Sequence, residues 1–78
     1  MSMLLSKLPR GQRARISTID ADESLSRKLL EMGVLEGQEL TLLHVGPIRR
    51  DPMAIRLNDR IIALRRRDAS HIHVEPLH

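Results

Sequence analysis

Apolar and polar residues alternate with a period of two along most of this chain, and the pattern becomes helical once. The change falls in Ser24 to Gly37, SLSRKLLEMGVLEG. Leu25, Leu29 and Met32 recur there at i, i+4 and i+7, and Leu30 widens the stripe. Arg27, Lys28 and Glu31 take the opposite face, with Arg27 and Glu31 spaced for an i, i+4 ion pair. Asp20-Ala21-Asp22-Glu23 offers an N-cap and acidic residues for the first turn. Gly33 stands where a left-handed residue ends a helix, and Val34 is expected to fold back onto Leu29. Leu35-Glu36-Gly37 reads as a tight turn into the next strand.

The flanking segments read as strands. Leu4, Leu5 and Leu8 are expected to anchor the N-terminus, and Pro9-Arg10-Gly11 makes a turn. Gln12 to Ile19 places Ala14 and Ile16 inward and Arg13, Arg15 and Ser17 outward. Gln38 to Val45 carries apolar residues on both faces for part of its length. Gly46 to Pro52, with two prolines around Arg49-Arg50, reads as a loop. Met53 to Leu57 and Arg60 to Arg65 form a hairpin about Asn58-Asp59, both tolerant of positive φ, with Met53, Ile55, Leu57, Ile62 and Leu64 inward. Arg66 to Ser70 is a single helical turn with Ala69 inward. His71 to Val74 is a last strand burying Ile72 and Val74.

About five short strands with one amphipathic helix after the first give a mainly β fold, a small partly open barrel of SH3 type. An OB-fold is the rival, but its helix lies between the third and fourth strands. The 78 residues make one domain, with its core between residues 8 and 75. A chain of this size buries only roughly 60–65% of its unfolded surface, so the core is thin and leaves little room for an elaborate pocket.

Composition narrows the function more by what is missing than by what is present. There is no Phe, Trp or Tyr. Grooves that read proline-rich peptides, and sheets that stack unpaired bases, are lined by aromatics and cannot be built here in their usual form. With no cysteine there is no disulfide, thiolate metal site or cysteine nucleophile. The longest apolar run, Ile61 to Leu64, is far short of the roughly 20 residues that span a bilayer. The N-terminal segment lacks the apolar core of a secretory signal, so a cytoplasmic location is expected. The 13 basic and 10 acidic residues give a net charge of +3, and 11 of the 13 are arginine. That balance suits an acidic protein partner or phosphates.

No nucleophile elbow or phosphate loop is present, and no enzymatic activity or cofactor is expected. His71 and His73 would share a face of a strand, with Glu75 and His78 nearby. They are the weak candidates for a transition-metal site, because two ligands do not complete one. His44 is expected to face solvent.

Several of these segments together resemble the FeoA family, ferrous iron transport protein A. LLEMGVLEGQEL is similar to its helix end, glycine stop and following strand. Asp51-Pro52-Met53-Ala54-Ile55-Arg56-Leu57 is similar to its Asp-Pro strand. Ile62-Ala63-Leu64-Arg65 with Ala69, Ile72 and Val74 resembles its closing block, and Leu8-Pro9-Arg10-Gly11 its opening. The loop from Gly46 to Pro52 is one residue longer than is usual in the family, and Arg49-Arg50 stand in place of its glycine. The resemblance implies an accessory, regulatory protein of ferrous iron uptake, docking on the cytoplasmic G domain of a ferrous iron transporter. Two surfaces are candidates for that contact: the loop Pro47, Ile48, Arg49, Arg50, Asp51 and Pro52, and the helix end with Met32 and Leu35. A nucleic-acid module using Arg49, Arg50 and Arg65 to Arg67 is the alternative from another class, and a weak transition-metal binder the third. Open strand edges would also allow pairing between copies.

Overall fold

The computed structural model describes residues 1–78. Where the sequence alternates, the chain is extended and one face is buried. β1 (Met3–Leu4) leads through a 3-10 turn to β2 (Arg13–Ile19), α1 (Glu23–Glu31), β3 (Glu39–Ile48), β4 (Asp51–Leu57), β5 (Arg60–Leu64), α2 (Arg66–Ala69) and β6 (Ile72–Pro76). All strand pairs are antiparallel, in the order β1-β6-β2-β3-β4-β5. The domain measures 29 × 27 × 24 Å. A single sheet of six strands fits so even a shape only by curling round its own apolar face, which gives the expected barrel. Ala14, Ile16, Leu40, Leu42, Met53, Ile55, Leu57, Leu64, Ile72 and Val74 line that face, each at most 3% exposed.

The helix closes one end as its caps require. Asp22 Oδ1 accepts from the Leu25 amide at 2.8 Å. At the other end the Val34 amide donates to the Leu29 carbonyl and the Gly33 amide to Leu30, both at 2.9 Å, with Gly33 at φ +80°. This is the paired Schellman arrangement, and it returns Val34 to the core beside Leu29. Arg60 Nη2 then donates to the Met32 carbonyl at 2.7 Å, a cation at the negative end of the helix. The same guanidinium covers Gly33, where a Cβ would strike it.

Four expectations are corrected. There are six strands, because Met3 and Leu4 pair with Val74 and His73 on β6. Leu30 is 63% exposed, so the buried stripe of the helix is narrower than its leucines suggest. Arg27 pairs with Glu23 at 3.1 Å and not with Glu31, the order in which the acid precedes the base along the helix dipole. The segment Gly46 to Pro52 is not a loop. β3 continues through Gly46 and Pro47 to Ile48, and the reversal is confined to Arg49 and Arg50. Both take positive φ, 55° and 62°, as the central residues of a two-residue hairpin do.

Candidate docking surfaces

The arm formed by the end of β3 and the start of β4 has an inner and an outer side. Two bulges in the β3–β4 register, after Leu42 and after Val45, bend it over the N-terminal segment and α2. On the inner side Arg50 Nη2 donates to the Leu8 carbonyl at 2.6 Å, and its Nε is buried without a partner. Asp51 Oδ1 accepts from the Arg66 amide at 2.9 Å, satisfying the first amide of α2. Arg66 Nη1 reaches the Arg49 carbonyl at 3.2 Å. Arg50 and Asp51 are therefore clasps that hold the arm down. Pro47, Ile48, Arg49 and Pro52 remain outward, with Ile48 74% exposed.

The helix end separates in the same way. Leu35, 46% exposed, lines an open groove of about 480 Å³ with Ile19, Leu29, Leu30 and Val34. Met32 is half-buried against the core and takes no part in that groove.

The histidines do not converge on a third ligand. His71 precedes β6, so its ring does not share a strand face with His73. Its Nδ1 lies 2.9 Å from the Asp20 carbonyl, an acceptor only, and must carry the proton. No group of three His, Asp or Glu side chains comes together anywhere in the domain.

Away from these surfaces, Glu39 sits across the strand pair from Arg15 and accepts from both Arg15 (3.0 Å) and Arg13 (2.8 Å). Those hydrogen bonds, Arg15's first, hold its carboxyl below the usual glutamate range. The cluster's contribution to stability is thus complete above the ordinary glutamate value and is lost as pH falls through the lowered one. Glu39→Gln should flatten the fall of stability with acid in that window, read from urea midpoints at several pH values. Added salt should shrink the difference, because the groups are exposed.

The FeoA domain family model matches residues 3–76. The chain belongs to the FeoA family. It is 37% identical over 73 residues to the Fe(2+) transport protein A/Fe(2+) transporter FeoB fusion protein of Porphyromonas gingivalis, covering 94% of this chain and 8% of that much longer protein. The solution structure of iron(II) transport protein A from Clostridium thermocellum superposes with a TM-score of 0.90 at 37% identity, over 96% of this chain and 46% of that one. The crystal structure of Stenotrophomonas maltophilia FeoA complexed with zinc, a procaryotic SH3 domain protein, gives a TM-score of 0.79 at 28% identity, over 94% and 89% of the two chains. FeoA membership and the SH3-like fold thus agree with the barrel described above. The family association is with ferrous iron transport, and no helix of this chain is long and apolar enough to cross a membrane.

Proposed function

We propose that this FeoA-family chain is a non-enzymatic accessory and regulatory protein of ferrous iron uptake, acting in the cytoplasm by docking on the G domain of a ferrous iron transporter. The observation that carries this reading is the Porphyromonas gingivalis relative, in which a chain similar to this one is fused to a FeoB transporter. A domain fused to its partner works at high effective concentration, which favours a direct contact between the two surfaces. The outer side of the β3–β4 arm is the favoured contact. It presents an exposed isoleucine beside an arginine, between two prolines that stiffen the backbone, and the clasps on the inner side hold it ready.

The test is capture of the purified chain by the cytoplasmic domain of its cognate transporter. Ile48→Ser/Arg49→Glu should weaken binding at least tenfold while leaving the thermal midpoint within a few degrees, because neither side chain supports the core. Arg50 is left intact, since its loss would release the Leu8 carbonyl and confuse docking with folding. Binding that survives this variant and is lost in Leu35→Ser would move the interface to the groove at the helix end. No binding by the unmodified chain would overturn the proposal.

A further inference from the structure

Four of the thirteen basic side chains, Arg13, Arg15, Arg27 and Lys28, reach a carboxylate within 4 Å. The unpaired remainder is not spread evenly. Lys7, Arg49, Arg66 and Arg67 converge on one concavity of about 400 Å³, between the 3-10 turn, the tip of the arm and α2. A single carboxylate, Asp51, faces them, and its Oδ1 already accepts from the Arg66 amide. Asp68, the one acid of α2, pairs with Lys28 at 2.8 Å. Ser6 lines the same concavity and is only 5% exposed. Four cations gathered against one carboxylate cost self-repulsion that an anion would relieve.

We propose that this cleft binds a phosphate group. Its small size and concavity suit one compact polyanion better than an extended acidic strip. Guanidinium forks match tetrahedral oxygens, and the Ser6 hydroxyl adds a neutral donor. Leu4 is the one apolar residue of the lining, and the chain has no aromatic to stack a base. The cleft therefore reads the phosphate and not the group that carries it. The carrier is either a small phosphate compound in solution or the headgroup of an anionic lipid. Arg49 belongs to both surfaces, but the cleft is tested at Lys7 and Arg67, which the docking variant leaves intact, so either reading can fail alone.

The experiment is a titration of the full chain with sodium pyrophosphate, held at constant ionic strength with sodium chloride and followed by amide ¹H–¹⁵N shifts. Saturable shifts are expected at Ser6, Lys7, Arg49 and Arg66 to Ser70. Lys7→Gln/Arg67→Gln should weaken binding at least tenfold without altering the fold, since neither side chain makes a hydrogen bond. Arg56→Gln, on another face, should leave binding unchanged. Sedimentation with phosphatidylglycerol vesicles, against phosphatidylcholine, then separates the sources. Retention that the double variant loses assigns a lipid headgroup, and pyrophosphate binding without retention assigns a soluble phosphate compound. Shifts that do not saturate, or that spread equally to Arg13 and Arg56, would overturn the proposal. So would polyglutamate occupying the cleft while pyrophosphate does not, which would assign it to an acidic protein partner.

Discussion

Replacing Gly46 with alanine is expected to destabilise the domain by about 2–3 kcal/mol, the upper part of the range of about 1–3 kcal/mol for forcing an extra carbon into filled space. Gly46 lies in β3 at the second bulge, where Gly46 and Pro47 oppose Pro52 between the pairs Val45–Met53 and Ile48–Asp51. The β4 backbone crosses so close there that a Cβ would overlap the Asp51 carbonyl and come within 2.9 Å of the Pro52 nitrogen. These are main-chain atoms, and no rotamer change relieves them. The arm must lift, and in lifting it lets go of Leu8 and Arg66. A loss of that size lowers the melting midpoint by roughly 10–20 °C in a domain this small. Gly37 is the control: it has φ +90° with open space around the position of a Cβ. Its requirement is conformational and not steric, so asparagine should be tolerated at Gly37 and not at Gly46. Equal losses at both sites would mean that the close approach at Gly46 is not what selects glycine.

The same arm marks where reading the sequence stops short. Gly46-Pro47 and Asp51-Pro52 carry the composition of a turn, so the chain reads as a loop there. The strand persists because two bulges absorb the mismatch, and bulges depend on the partner strand. The true reversal is made by two arginines at positive φ, a conformation that arginine does not favour locally. It is held by contacts from residues 42 and 17 positions away in sequence, Arg50 to Leu8 and Arg66 to Arg49. No local signal contains those. Met3–Leu4 is unreadable for the same reason, being a strand only because β6 lies beside it.

What was legible was periodic or capped. The alternation in β2, β4 and β6 gives their buried residues, and the helix stop at Gly33-Val34 is a local hydrogen-bond pattern that one glycine discloses. Of the candidate surfaces, the composition presents Ile48 together with both arginines, and the structure leaves Ile48 and Arg49 exposed. That Arg50 and Asp51 face inward was not legible, because a charged residue in a turn composition gives no sign of what it caps. The cleft under the arm was also hidden, since Lys7, Arg49 and Arg66-Arg67 meet only when the 3-10 turn, the arm and α2 are assembled.

Ile55→Ala should have the second large effect, a loss of about 3–4 kcal/mol within the 2–5 kcal/mol range for truncating a buried isoleucine. Ile55 is wholly buried on β4, paired with Leu42 on β3 and Ile62 on β5. It thus sits between the two strands that carry the arm and the helix cap. With no aromatic residue in the chain, the 15 buried apolar residues are all aliphatic or methionine, and no large ring bridges a gap that one of them leaves. At roughly 0.05–0.15 kcal/mol per residue, a domain of this length holds on the order of 4–12 kcal/mol in all. The substitution therefore removes between a quarter and nearly the whole of it. Ile61 provides the comparison: it is 62% exposed on the edge strand β5, where alanine should cost no more than about 0.5 kcal/mol. Urea midpoints of the two variants measure the difference directly. A well-separated pair places the apolar interior on the Ile55 side of the sheet. A pair that coincides would mean that this face does not close around a core, and the barrel would lose its principal support.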